Sequence, residues 1–251
     1  SDVMDLRSRL VADTHASNSV GSFFDLGSLI GAEHVVGALT YVDSVHYSPL
    51  LPVDVSDLGS DFLAASAYKF FGPHTGCLYG RADVLADIAA YKIRPAPDEP
   101  PGKWETGTQS FESLAGVTAA VDYIASLGEG ASRRERIGSA MQIITSYERE
   151  LSERFLEGIA GISGVRLYGR TIPVGRTPTF AVSVSGRHPD AVAAALGDLG
   201  IFVWSGDYYA VEVMRRLGVA DQGGLVRIGF VHYNTFEEVD LVVAALGALA
   251  P

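Results

Sequence analysis

The chain of 251 residues contains a single cysteine, Cys77. One thiol forms no internal disulfide and offers no cluster of soft ligands to a structural metal, so a reducing cytoplasm is the expected setting and no metal site is expected. Basic residues are scarce as well. Nineteen Lys and Arg stand against thirty Asp and Glu, a formal charge of −11. That balance is a poor match for nucleic acid or for an anionic membrane surface, and neither is expected as a partner. Long apolar runs are also missing. The longest candidate, Ala191 to Trp204, is interrupted by Asp198 and two glycines, well short of the roughly 20 apolar residues a membrane span requires. The start of the chain has no basic-then-apolar layout of a secretory signal, and it opens on Ser1 rather than Met, which reads as cleavage or truncation. What is present is ordinary globular material: 47% apolar and 20% charged residues, enough to bury a core and too apolar for a disordered chain.

The first half alternates short apolar runs with helix-compatible segments. Strands are expected at Arg9–Asp13, Gly37–Asp43, Asp61–Ser66 and Gly76–Gly80, with helical segments at Phe24–Val36 and Val53–Leu58. Strands separated by crossovers indicate a mostly parallel sheet wrapped by helices, with ligands gathering at the carboxyl ends of the strands. Helices follow over Phe111–Leu127 and Ser132–Ile159, the second with a charged face (Arg133, Arg134, Arg136, Glu148, Glu150, Glu153) that reads as solvated. After Gly164 the pattern becomes strand (Thr179–Val184), helix (Pro189–Leu199), strand (Gly200–Trp204), helix (Tyr209–Leu217), strand (Leu225–Val231) and helix (Thr235–Leu249). The fold class expected is α/β, with a large domain over residues 1–130 and, over 131–251, a connecting helix and a C-terminal α+β small domain.

Chemistry concentrates in a few phrases. In Ser66-Ala-Tyr-Lys69-Phe-Phe-Gly-Pro, a lysine follows a buried strand among aromatics. Such surroundings favour the neutral amine, and a neutral amine attacks an aldehyde to form a Schiff base. Asp43, in Tyr41-Val-Asp43-Ser-Val-His46, ends the preceding strand, where a carboxylate can keep a pyridine nitrogen protonated. Thr14-His15-Ala16-Ser17-Asn18 supplies an amide after the first strand. Trp104-Glu105-Thr106-Gly107-Thr108 supplies a backbone nest and a hydroxyl suited to phosphate. Arg227 lies opposite the apolar Val226, Ile228 and Phe230, where its fork can hold a carboxylate. Each residue alone also fits a structural role: a solvated lysine, a turn aspartate, a polar turn, an exposed strand arginine.

Together, in this order, the phrases resemble the class V aminotransferase and cysteine desulfurase family, and most of all its cysteine desulfurase-like branch. The likeness runs from about Arg9 to the C-terminus and includes Trp-Glu-Thr-Gly-Thr and Val-His-Tyr-Asn-Thr. The resemblance implies the type I fold of pyridoxal-phosphate-dependent transferases, a pyridoxal 5'-phosphate cofactor, an amino-acid substrate and a homodimer. It implies that Lys69 bears the cofactor and moves protons on the substrate carbon, and that Asp43 pairs with the pyridine nitrogen. His46 and Asn18 would flank the phenolic oxygen, and Ser66 would contact the phosphate. Tyr68 stands where relatives often place a histidine, Thr108 would reach the phosphate of a neighbouring subunit, and Arg227 would hold the α-carboxylate.

The sequence departs from that family in two respects. Where desulfurases carry a nucleophilic cysteine, this chain reads Trp204-Ser-Gly206-Asp207-Tyr208-Tyr209-Ala210, with Tyr209 near the thiol position. Cys77, in a predicted strand, is expected to be a buried core thiol, so a persulfide mechanism is disfavoured. Complete family members are also considerably longer, and the phosphate-cradling loop and the ring that stacks on the cofactor are expected to lie in an absent N-terminal part. The function expected is aminotransferase or lyase chemistry on an amino acid. The alternative is a truncated, inactive homologue serving as a folding remnant or subunit-binding module. A serine acyl-enzyme reading of Ser66-Ala-Tyr-Lys69 fails because that motif needs a helix, whereas here a strand precedes it and Gly72-Pro73 follows.

Overall fold

The computed structural model describes residues 5–105 and 107–251. The chain divides into two compact units. One comprises Ser1–His15 and Asp25–Met141; the other comprises Ala16–Phe24 and Gln142–Pro251.

The first unit is built on strands β1 (Leu10–Thr14), β2 (Leu39–Asp43), β3 (Phe62–Ser66) and β4 (Gly76–Gly80), in that order across one sheet. β1, β2 and β3 run parallel, with Thr14 beside Asp43 and Asp43 beside Ala64, whereas β4 returns antiparallel to β3. The crossovers carry helix α1 (Leu26–Val35) and the short helix α2 (Val55–Leu58). Both start on an aspartate: Asp25 accepts from the Gly27 N–H and Asp54 from the Ser56 N–H, satisfying donors a helix start leaves open. Gly59, in the left-handed region at φ 72, ends α2. Leu26 and Ile30 of α1 bury against Val42 and Leu63, which holds the crossover on the sheet. Helix α3 (Ala82–Asp87) follows β4, and α4 (Phe111–Ser126) closes the run. Lys103 Nζ and Trp104 Nε1 both donate to the Leu85 carbonyl, pinning the segment before Thr108 to α3.

Helix α5 (Arg133–Ala160) leads into the second unit. There β5 (Val165–Tyr168), β6 (Thr179–Val184), β7 (Trp204–Gly206) and β8 (Leu225–Gly229) form an antiparallel sheet in the order β5-β6-β8-β7, with helices α6 (Pro189–Asp198), α7 (Val211–Leu217) and α8 (Phe236–Leu249). The core joins Leu151 and Phe155 of α5 to Phe180, Val182, Val226, Ile228 and Leu246. The three rings of Phe155, Phe180 and Phe230 meet at centroid distances from 4.4 to 5.9 Å. A capping box, Thr235 with Glu238, starts α8. Segment 16–24 is tied here by hydrogen bonds from Thr177 N to Gly21 O (2.8 Å) and from Phe23 N to Gly175 O (3.2 Å). Gly21 sits at φ 74, and a Cβ there would lie 2.3 Å from the Thr179 oxygen, so only glycine fits.

The α/β architecture with a parallel-dominated sheet agrees with the sequence reading, but several details do not. The strand expected at Gly200–Trp204 begins only at Trp204: Ile201 and Val203 pack against the core without joining the ladder. Helix α7 starts two residues late because Tyr208 and Tyr209 take left-handed backbone angles, φ 54 and 60. Cys77 is exposed, not buried, since β4 is an edge strand whose residues Gly76 to Leu78 are all exposed, on both faces. Glu148 does not belong to a solvated face. It is buried on the side of α5 that carries Ile144, Leu151 and Phe155.

Candidate functional site

In the first unit the carboxyl ends of β1, β2 and β3 place polar groups along one edge of the sheet. The ladder continues past the strands: the His15 N–H donates to the Asp43 oxygen and the Ser44 N–H to the Ala64 oxygen, each at 2.9 Å. Asp43 is exposed, with Oδ1 accepting from the Val45 N–H at 3.0 Å. Beneath it Ser44 is fully buried, and its hydroxyl lies 3.2 Å from His15 Nδ1. The His15 ring stacks flat on Tyr47, and burial pushes its pKa down to about 4, so it is neutral at pH 7. His46 is half-buried on the same turn.

Ser66 ends β3 and opens a single 3-10 turn, Ala67–Phe70, that carries Tyr68 and Lys69. Two backbone bonds close this turn at 2.8 Å, Ala67 N to Thr75 O and Gly72 N to Ala67 O. A Cβ at Gly72 would stand 3.0 Å from the Ala67 oxygen, which explains the glycine. Behind the turn, Gly116 of α4 lies against Pro73, and Phe71 meets Tyr123 edge-on at 5.6 Å. The lysine is therefore held on a rigid turn at a strand end. Its surroundings differ from the expectation of an apolar enclosure: Lys69 is exposed, with Nζ 5.4 Å from the Tyr68 ring centroid, and Phe71, at φ 70, packs on Tyr123 of α4. Tyr68 stacks instead on His74, at 5.2 Å. Thr108 is exposed just before α4 and Gly107 adopts φ 82, while Thr106 of the expected phosphate nest lies outside the described residues.

Asn18 and Arg227 belong to the second unit. Arg227 on β8 is half-buried, its neighbours Val226 and Ile228 facing the core as expected. It is more constrained than an exposed strand arginine: Nη1 donates to the Asn18 backbone oxygen at 2.9 Å and the guanidinium lies 5.0 Å from the Tyr208 ring centroid. The Asn18 amide nitrogen donates to the Tyr208 carbonyl at 3.0 Å. Sequence reading passed over two participants, His15 and Tyr208. Each stands beside a residue it did single out, and the signal for both was an aromatic or imidazole ring directly at a strand-end turn.

A carboxylate, an amine and a hydroxyl at the carboxyl edge of parallel strands form a donor set that fits a phosphorylated pyridine aldehyde. Comparison with known proteins points the same way. The family model for class V aminotransferases matches residues 1–242. The chain belongs to the class V aminotransferase family, which includes the pyridoxal-phosphate-dependent cysteine desulfurases. It is 32% identical over 261 residues to a probable cysteine desulfurase of Mycobacterium leprae, covering 99% of this chain and 40% of the relative. An aminotransferase-like protein of Gibberella zeae is 33% identical over 247 residues, covering 96% of this chain and 59% of that one. Among solved structures, the apo cysteine desulfurase of Thermococcus onnurineus superposes with a TM-score of 0.86 at 29% identity, over 96% of this chain and 60% of that one. The chain thus spans between 40% and 60% of the length of these relatives. Among the described residues no helix is long and apolar enough to cross a membrane, and no group of side chains is arranged to hold a metal ion.

Proposed function

We propose that the chain serves a pyridoxal-phosphate-dependent enzyme acting on an amino acid, with aminotransferase or lyase chemistry and without a persulfide cysteine. When bound, the cofactor supplies an electron sink for a carbanion. The chain's own residues do the rest. Lys69 is the amine that bears the cofactor and carries protons to and from the substrate carbon. Asp43 holds the proton on the ring nitrogen, Ser66 donates to the phosphate, and His46 and Asn18 bind the phenolic oxygen, with Tyr68 beside the ring. Thr108 serves the phosphate of a second copy in a cytoplasmic homodimer, and Arg227 binds the substrate carboxylate. Residues 1–130 act as the cofactor-binding domain and 131–251 as connecting helix and small domain.

The observation that carries this reading is the gathering of Asp43, Ser66 and Lys69 at the carboxyl edge of β2 and β3. The persulfide-free part rests on Tyr209, 96% exposed in the loop after β7 where a thiol is otherwise expected. The test is to add pyridoxal phosphate, reduce with borohydride and map the modified peptide. Yellow colour and a label on Lys69, both lost in Lys69→Ala, are expected. A label on another lysine would reject the assignment. A chain that stays colourless would favour the reading as an inactive, subunit-binding homologue.

A further inference from the structure

The second unit contains a half-buried cation without a carboxylate partner. Among the described residues Arg227 has no ion pair; burial lowers its pKa from the ordinary arginine value, and the neighbouring Tyr208 opposes that. A cation in such a place needs groups that fix it without neutralising it, and the loop after β7 supplies them. Tyr208 is 3% exposed, its ring packed among Tyr168, Ala181, Met214, Val219 and Leu225. The guanidinium lies 5.0 Å from its ring centroid. The Tyr208 carbonyl accepts from Asn18 Nδ2, and the Asn18 backbone carbonyl accepts from Arg227 Nη1, which closes a triangle of three residues.

The loop is held in a shape that bulky residues avoid. Tyr208 and Tyr209 both take left-handed φ. The Asp207 side chain accepts from the Tyr209 N–H at 2.9 Å, and the Asp207 carbonyl accepts from the Ala210 N–H at 2.8 Å. Gly224, at φ 83, lets β8 start directly against this loop: a Cβ there would stand 2.1 Å from the Gly206 oxygen. Strained backbone persists where surrounding structure over-determines it, and here it sets the Tyr208 ring beside Arg227. The Tyr208 hydroxyl has no hydrogen-bond partner among the described residues, so the ring and the carbonyl, rather than the phenol, make the contacts.

We infer that Tyr208 is a positioning residue for Arg227, holding the guanidinium unneutralised and oriented for the carboxylate of an amino-acid substrate. This rests on the proposed carboxylate-binding role of Arg227. A preoriented fork binds a carboxylate without first ordering its own side chain, and its remaining N–H groups stay available for two parallel hydrogen bonds. Arginine Nε–Hε resonances in the intact protein test it, with the Arg227 signal assigned from Arg227→Lys. Tyr208→Leu should remove the ring-current shift and speed exchange of that proton with water at least tenfold, and Tyr208→Phe should restore both. Titration with L-alanine should move the signal in the wild-type protein, with affinity at least tenfold weaker in Tyr208→Leu and recovered in Tyr208→Phe. An Arg227 signal and exchange rate unchanged in Tyr208→Leu would overturn the inference. If Tyr208→Leu does not fold, Tyr208→Met carries the test: it keeps an apolar side chain in the core and removes the ring, and unchanged Arg227 protection there would be equally fatal. A wild-type signal that ignores alanine while the ring shift and exchange behave as expected would reject the carboxylate role of Arg227 and leave its positioning by Tyr208 intact.

Discussion

The imidazole of His15 lies flat on the phenol of Tyr47, with 3.5 Å between ring centroids and 5° between ring planes. This stack ties the end of β1 to the turn after β2, so it fixes the backbone on both sides of Asp43. Parallel stacking of a neutral imidazole on a phenol is compatible with burial, whereas an imidazolium in that place would lose its hydration.

The pKa of His15 is pushed down to about 4 by burial, from an ordinary value of 6.5. Because the folded state binds its proton more weakly than the unfolded state, His15 stabilises the fold above pH 6.5. That contribution is lost as pH falls from 6.5 towards 4. The His15 Hε1 resonance should titrate with a midpoint near 4; a midpoint near 6.5 would mean that the ring is solvated. His15→Phe should retain the stack but strand the buried Ser44 hydroxyl, at a cost of about 1–3 kcal/mol in denaturant unfolding.

Asp61 is the second point on which the first unit depends. It is fully buried at the start of β3. It accepts from the Thr40 N–H at 2.8 Å and the Thr40 hydroxyl at 3.1 Å, and pairs with His34 at 3.0 Å and Arg81 at 2.8 Å. Burial alone would raise its pKa, but the hydrogen bonds from His34 and Thr40 outweigh that and hold the carboxyl below the usual carboxylate range. Asp61→Ala would leave the buried Thr40 N–H without its acceptor and take one partner each from His34 and Arg81. A loss of about 1–3 kcal/mol is expected, read as a lower urea midpoint with unchanged slope. Asp61→Asn, which keeps one acceptor oxygen, should lose less. Equal losses would show that the charge carries the whole effect.

Cys77 bears on the persulfide question. Its side chain is exposed on an edge strand, so one thiol per chain should react with Ellman's reagent without denaturant. Cys77→Ser should leave any amino-acid turnover unchanged, since the proposed chemistry uses no thiol. Loss of turnover in that variant would restore a cysteine mechanism and remove the role inferred from Tyr209.

Local pattern made much of this fold legible. The parallel strands announce themselves as short apolar runs ending in polar residues, and Asp43 and Ser66 fall at strand ends because that is where a buried run must stop. The run Gly76–Gly80 was read without its direction, since apolar content does not reveal that β4 turns back on β3. Arg166 and its short flanks hid β5, whose half-buried pattern leaves too little periodicity to see. The pairing of His15 with Tyr47 and that of Arg227 with Tyr208 depend on residues far apart in the chain, which no local signal records. Glu148 was misread for a related reason: on a long, charged helix one carboxylate at a core position looks like its solvated neighbours.

That carboxylate supplies the sharpest pH test of the second unit. Glu148 is 2% exposed, and burial pushes its pKa up to about 8, with only the backbone of His232 opposing. The His232 ring stands 3.9 Å away, its own pKa lowered by burial. A carboxyl whose folded value lies above its unfolded value of 4.5 is protonated in the folded state and ionised in the unfolded state between pH 4.5 and 8. Its stabilising contribution is complete below 4.5 and falls as pH rises to about 8, at no more than about 1.4 kcal/mol per pH unit. His15 and His232 work in the opposite direction at lower pH, so the wild-type profile mixes the terms. The difference between wild type and Glu148→Gln isolates one of them. The glutamine is a neutral mimic, so Glu148→Gln should gain stability relative to wild type steadily from pH 5 to pH 8. A difference independent of pH across that range would show that Glu148 titrates as an ordinary solvated carboxylate.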